Sequence, residues 1–207
     1  NMIGIIDYKA GNAPSVLNAL HRLGVPSSLV SSPDGLRAAA GIILPGVGSA
    51  KATMDSLKDM GFIDALEERV LKQGIPFLGI CVGFQVLFEH SDEGDVDCLG
   101  WMPGEVKKYP EDMVRVPQMG WNEVKFVRRH AILSSLNDSE FFYFVNSYYV
   151  IPRDENIVLA KTRYGIEFCS MAAYKNMCAA QFHVEKSGAV GLKVLRNFAW
   201  MAGGKHC

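Results

Sequence analysis

No run in this sequence is both long and apolar enough to cross a membrane, since the longest hydrophobic stretches, such as Gly41-Ile42-Ile43-Leu44, are strand-length. Charge of one sign does not gather either. The 21 basic and 22 acidic residues are interleaved and leave a net charge of −1, so there is neither a basic stripe for nucleic acid nor an acidic solvating tail. C-x-x-C and H-E-x-x-H are both missing, and no metal site or cofactor is expected. Five cysteines, at 81, 98, 169, 178 and 207, are an odd count without disulfide-framework spacing, which fits a reducing, cytoplasmic setting. Met2-Ile3-Gly4-Ile5-Ile6 lacks the charged head and cleavage site of a secretory signal, and Asn1 ahead of it reads as a cloning remnant. Without linkers, repeats or low-complexity segments, a single domain over residues 2–203 is expected. What is present is an ordinary globular composition: 207 residues, 49% hydrophobic and 21% charged, enough to bury a substantial core.

Along the first half, apolar strand-length runs alternate with helical spacing. Ile3-Gly4-Ile5-Ile6-Asp7 reads as a strand ending on a charge. Pro14 suits the first turn of a helix whose Val16, Leu17, Leu20 and Leu23 share a face, and Gly24 stops it. A strand follows over 26–31, a short helix over 34–40, a buried strand over 41–44, and helices over 49–60 and 62–72. This alternation predicts a mostly parallel central sheet with helices on both faces, an α/β class whose sites gather beyond the carboxyl ends of the strands. Asp7, Pro45-Gly46-Val47-Gly48 and Cys81 all sit at such ends. In the second half Gly, Pro and aromatic residues punctuate shorter runs, at 123–127, 141–145, 157–163, 168–174 and 177–183, which read as added antiparallel strands. Ser187 is placed to cap a last helix with Val190, Val194 and Phe198 on one face.

The stretch that organises the chain is Gly79-Ile80-Cys81-Val82-Gly83-Phe84-Gln85. An apolar strand runs into it and a helical pattern over 84–89 runs out of it, the shape of a nucleophile elbow. The glycines leave room for a tight turn, the Val82 N–H can face a developing oxyanion, and a helix N-terminus favours thiolate over thiol. Taken alone, Cys81 could equally be one more small buried cysteine. A hundred residues on, Gln181-Phe182-His183-Val184-Glu185 supplies what such a thiol needs. Histidine takes a proton near neutral pH, and Glu185 can accept from its other ring nitrogen, the two side chains pointing the same way in an extended chain. A third element, Pro45-Gly46-Val47-Gly48, has the flexibility to turn backbone N–H groups toward an oxyanion, although a Pro-Gly pair after a strand is commonly just a turn.

An oxyanion loop, Cys in G-x-C-x-G-x-Q, then His-x-Glu, in this order over essentially the whole chain, resembles the class I glutamine amidotransferases. Four further stretches resemble one branch of that family, the glutaminase subunits of imidazole glycerol phosphate synthases. They are Asp7-Tyr8-Lys9-Ala10-Gly11-Asn12, Leu44-Pro45-Gly46-Val47-Gly48, Gln118-Met119-Gly120-Trp121-Asn122 and Tyr143-Phe144-Val145-Asn146-Ser147-Tyr148-Tyr149. The resemblance implies a Cys81–His183–Glu185 triad that hydrolyses glutamine to glutamate, with Val47 and Val82 donating to the oxyanion. It implies that Gly48, Gln85, Ser147 and Tyr148 line the glutamine pocket. Ammonia would pass to a separate (β/α)8 synthase subunit, with Asn12, Trp121, Tyr143 and Lys186 toward that heterodimer interface, and histidine biosynthesis would be the setting.

Four residues depart from the pattern that the resemblance sets: Val184 for proline between the His and Glu, Asn146 and Gln118 for histidines, and Lys9 for a small residue. None removes a triad group. They leave open a paralogous synthase that aminates a bacterial surface sugar. Two other readings compete: a cysteine hydrolase of peptides or small amides, against which Gln85 and Val145-Asn146-Ser147-Tyr148 speak, and a catalytically silent regulatory domain, against which the complete Cys-His-Glu set speaks.

Overall fold

The computed structural model describes residues 2–9 and 12–203; Asn1, Ala10 and Gly11 of the first loop, and Cys207 lie outside the described residues. Thirteen strands join in one sheet. They are β1 (Met2–Ile6), β2 (Ser27–Val30), β3 (Ala39–Leu44), β4 (Phe77–Ile80), β5 (His90–Ser91), β6 (Val96–Asp97), β7 (Gly104–Lys108), β8 (Gln118–Phe126), β9 (Ser139–Asn146), β10 (Tyr148–Pro152), β11 (Val158–Tyr164), β12 (Ile166–Tyr174) and β13 (Met177–Ala180). The order β2-β1-β3-β4-β13 is parallel throughout. From β13 the sheet continues antiparallel through β12, β10 and β7, and β11, β8 and β9 branch from β12 as an antiparallel ribbon.

The helices are α1 (Ala13–Arg22), α2 (Ala50–Asp59), α3 (Phe62–Leu66, running on into a π turn over Glu67–Lys72), α4 (Val82–Gln85) and α5 (Gly188–Gly203). From β1 the chain steps one way to β2, and from β3 the other way to β4. Right-handed crossovers therefore set α1 and α2–α3 on opposite faces. A Cβ on Gly41 of β3 would stand 2.7 Å from the Cβ of Ala202, so α5 lies directly on the sheet. Covered on both sides, the inner parallel strands β1, β3, β4 and β13 are apolar along their length, and Ile5, Ile43, Leu78 and Ala179 are fully buried.

Four local expectations fail for identifiable reasons. The helix expected over 34–40 is only a 3-10 turn, Pro33–Leu36, because the Arg69 guanidinium takes the Leu36 and Ala39 carbonyls that a helix or its cap would use. The helix expected over 84–89 stops at Gln85. The Val86, Leu87 and Phe88 carbonyls accept instead from the N–H groups of Leu99, Trp101 and Gly100 at 2.8 to 2.9 Å. The strand expected over 177–183 ends at Ala180, since the chain leaves β12 for β9: Gln181 N donates to Ser170 O at 2.9 Å, and His183 N to Tyr143 O at 3.0 Å. Ser187 spends its hydroxyl away from α5, accepting from Tyr143 N at 3.0 Å and donating to His183 O at 2.6 Å.

Candidate active site

Between β4 and α4, Cys81 adopts φ 57° and ψ −110°, a backbone conformation that an L side chain rarely holds. Its surroundings over-determine it. The Cys81 N–H donates to Ala180 O at 2.8 Å across the sheet, and its carbonyl accepts from Phe84 N and Gln85 N at 3.0 and 3.2 Å. Both flanking glycines are steric requirements: a Cβ at Gly79 would lie 2.4 Å from Gly83 O, and one at Gly83 only 1.9 Å from Leu44 O. The turn leaves the thiol beyond the strand end. Val82 is the first residue of α4, so its N–H has no helical carbonyl to bond.

The bend after β13 carries His183 to this thiol. Glu185 reaches His183 through a 3-10 turn, Val184–Lys186, rather than along an extended chain, and its Oε1 accepts from the imidazole Nδ1 at 2.8 Å. Burial pushes the His183 pKa down, but hydrogen bonds to Cys81 and Glu185 outweigh it and lift the value to about 10. Burial pushes the Glu185 carboxyl up, but its hydrogen bonds from His183 and from the Asn12 amide more than reverse this and hold it below the usual range. Asn12 is itself buried and donates from Nδ2 to Glu185 Oε1 at 2.7 Å. A histidine that holds its proton beside a sulfur can deliver it to a leaving nitrogen.

A cavity of about 270 Å³ opens over Cys81. Val47, Gly48, Val82, Gln85, Ser147, Tyr148 and His183 all line it, so the structure brings the sequence-predicted oxyanion and pocket residues together. Gly48 has φ 98°, a conformation natural only to glycine. The Tyr8 hydroxyl donates to Pro45 O at 2.7 Å and would stand 2.2 Å from any Cβ on Gly46. Burial pushes the Tyr8 phenol up to about 12, so it keeps this proton. Lys186 is exposed at the cavity rim. Trp121 and Tyr143 lie farther out, directly paired across β8 and β9, with ring centroids 6.0 Å apart.

Sequence reasoning missed Glu93. It lines the same cavity, accepts at Oε1 from Ala50 N at 2.8 Å, and has its carboxyl pKa raised by burial. No local pattern marks it, because only the fold brings the loop after β5 against the start of α2. Gln181, two residues before the histidine, carries no signal in the sequence for a role of its own. Its Nε2 lies 3.8 Å from Cys81 Sγ.

A profile of the family described as glutamine amidotransferase class-I matches residues 4–202. The "Imidazole glycerol phosphate synthase subunit HisH" of Dehalococcoides mccartyi (strain CBDB1) is 48% identical over 202 residues, covering 97% of this chain and 98% of that one. "Imidazole glycerol phosphate synthase subunit HisH 1" of Campylobacter jejuni subsp. jejuni serotype O:23/36 (strain 81-176) is 45% identical over 200 residues, covering 96% and 99%. Among solved structures, one described as glutamine amidotransferase shares the fold, with a TM-score of 0.76 at 21% identity over 98% of this chain and 100% of that one. With the family match spanning the elbow, the histidine turn and the strands that carry them, the chain belongs to the class-I glutamine amidotransferases.

Proposed function

We propose that this chain is the glutaminase subunit of an imidazole glycerol phosphate synthase, working as one domain over residues 2–203. The observation that carries this is identity of 48% along nearly the whole chain to subunits of that name, which also favours this acceptor over sugar amination. The site chemistry agrees. Glutamine enters with its α-ammonium toward the Glu93 carboxylate and its side-chain amide over Cys81. Gln85 turns Nε2 onto Tyr148 O and Gln181 Oε1, at 2.9 and 3.1 Å, which leaves its Oε1 for the substrate. Ser147 and Tyr148 form the facing wall.

The Cys81 sulfur attacks the amide carbon, and the carbonyl electrons move to the oxygen, where the N–H groups of Val82 and Val47 are the donors. Collapse breaks the C–N bond, and His183 gives its proton to the departing nitrogen. Water then attacks the glutamyl thioester and loses a proton to His183, and glutamate leaves as the C–S bond breaks and the Cys81 thiolate reforms beside the reprotonated imidazole. Glu185 keeps the imidazole in one orientation throughout.

Ammonia passes to a (β/α)8 synthase subunit, where imidazole glycerol phosphate and aminoimidazole carboxamide ribotide form in histidine biosynthesis. The surface suited to that subunit is one face of the β8–β9 ribbon. Met119, Trp121 and Phe141 on it are 67%, 53% and 56% exposed, an apolar cluster unusual for a free surface. Tyr143 continues this face inward, Lys186 stands at the cavity rim, and Asn12 lies behind the triad.

Two outcomes follow. The isolated chain should turn glutamine over slowly, and adding the synthase with its acceptor should raise the rate by ~10²–10³-fold, the worth of one oxyanion donor. Coupled product formation with the histidine-pathway synthase tests this, and full activity of the chain alone would reject a site completed by its partner. Amination of a sugar but not of the ribonucleotide would overturn the acceptor. Glu93→Gln should raise KM for glutamine about tenfold or more with kcat within about threefold, because a charged hydrogen bond to the α-ammonium is lost. Steady-state assay of the complex checks it, and an unchanged KM would remove Glu93 from substrate binding.

A further inference from the structure

Gln181 is fully buried at the end of β13, next to the triad but outside it. A buried primary amide must place its oxygen and nitrogen on matching partners. Here the choice is forced by a neighbour. Gln85 Nε2 can only donate, and it approaches Gln181 at 3.1 Å, so that atom is Oε1. Nε2 of Gln181 is thereby turned to Cys81 Sγ at 3.8 Å. Gln85 is held in turn by Tyr148 O at 2.9 Å, and the same carbonyl accepts from Asn146 Nδ2 at 2.9 Å. Asn146 is locked to the Tyr109 hydroxyl at 2.8 Å and to Gln118 at 3.1 Å. The Gln118–Asn146 pair and the Gln85–Gln181 pair thus meet at the Tyr148 carbonyl, and that carbonyl, by fixing Gln85, orients Gln181 so that a donor arrives at Cys81.

We propose that Gln181 is a catalytic residue of this site, a fixed hydrogen-bond donor to the nucleophilic sulfur that stabilises its anionic form. The inference rests on the glutaminase reading. As a neutral thiol, Cys81 instead has Val145 O as its acceptor, at 3.8 Å. The two contacts coexist on one sulfur: the S–H donates to Val145 while the lone pairs accept from Gln181, and only the Gln181 contact survives, and strengthens, when the proton is lost. The other titratable groups around Cys81 are His183 and Lys186 beyond β13, Tyr8 beyond β1, Tyr148 on β10, and Glu93 across the cavity. Gln181 adds no charge to this set, so its effect is that of an oriented dipole.

Gln181→Glu keeps the shape and the acceptor that holds Gln85 but replaces the donor with an acceptor, whereas Gln181→Met keeps the shape and removes both, leaving Gln85 on Tyr148 O alone. Alkylation of Cys81 by iodoacetamide, followed on the full chain by mass spectrometry of the labelled peptide, should slow about tenfold to hundredfold at neutral pH in either variant. Its pH dependence should move to higher pH, farther for the Glu variant. In the complex with synthase, kcat should fall by a similar factor while KM for glutamine stays within about threefold. A thermal melt identifies any variant that has failed to fold, and the other variant then decides. Wild-type alkylation rates and pH dependence in a folded variant would overturn the assignment. Cys81→Ala is run alongside: its loss of turnover together with a silent Gln181→Met rejects only the role of Gln181, whereas turnover that survives Cys81→Ala rejects the glutaminase reading first.

Discussion

Cys81→Ala is expected to yield a folded chain whose glutamine turnover, measured in the complex, falls by several orders of magnitude, because covalent catalysis loses its only placed thiol. Alanine fits the space and keeps the elbow's backbone bonds, so the loss is chemical. The same complex should still aminate its acceptor from high ammonium at raised pH, where free ammonia reaches the synthase without Cys81. Retention of even a tenth of the glutamine-dependent rate would mean that the elbow is not the site. The other described cysteines should be replaceable with far smaller effect. Cys178 even has a histidine, His130, at 3.9 Å, yet burial pushes its thiol up to about 12 and that imidazole down, and the surface cavity that His130 lines does not reach the sulfur. Burial likewise pushes Cys98 up to about 11.

His183→Ala should be nearly as damaging, while Glu185→Gln should cost less, since the imidazole remains but loses its charged partner. Assays of both in the complex check the order, and a glutamate variant worse than the histidine variant would reverse the roles. The pH dependence of stability gives a second check. The raised His183 pKa means that its pairing stabilises the fold fully below about 6.5, the unfolded value, and that this is lost as pH rises through about 10. The difference in melting temperature between wild type and His183→Ala should therefore narrow over that window. A constant difference would say that the pairing is not what holds the proton.

The parallel core and its site were legible because both depend on short-range rules. Apolar runs with Gly or Pro at their ends give strands, and Gly79 and Gly83 stand where any Cβ would strike a carbonyl. What was illegible needed long-range contacts. The helix expected over 84–89 was cut short by residues 99–101, and the one over 34–40 by Arg69, neither of which a local window contains. Glu93 enters the cavity only because α2 begins beside it. Gln118 and Asn146, two separate departures in the sequence, are a single change in the structure. They face each other in the β8–β9 register, share the Tyr109 hydroxyl, and satisfy one another where either amide alone would be left short of a partner. Lys9, the departure in the first loop, holds φ 69°, a conformation that glycine would adopt at lower cost.

The contact between Gly83 and Leu44 limits how the oxyanion loop can respond to a partner. Leu44 is the last residue before Pro45, so the near end of the loop is wedged against the elbow, and Tyr8 grips the Pro45 carbonyl beside it. The far end is anchored as firmly: Ser49 Oγ accepts from Ala52 N at 3.0 Å, and Glu93 from Ala50 N at 2.8 Å. Between these moorings lie only residues 46–48. A strap that short cannot swing as a lid; it can only twist about its own axis. Any response of this loop to a docking partner is therefore confined to the peptide orientations of these three residues, while the nucleophile beneath stays where the sheet put it.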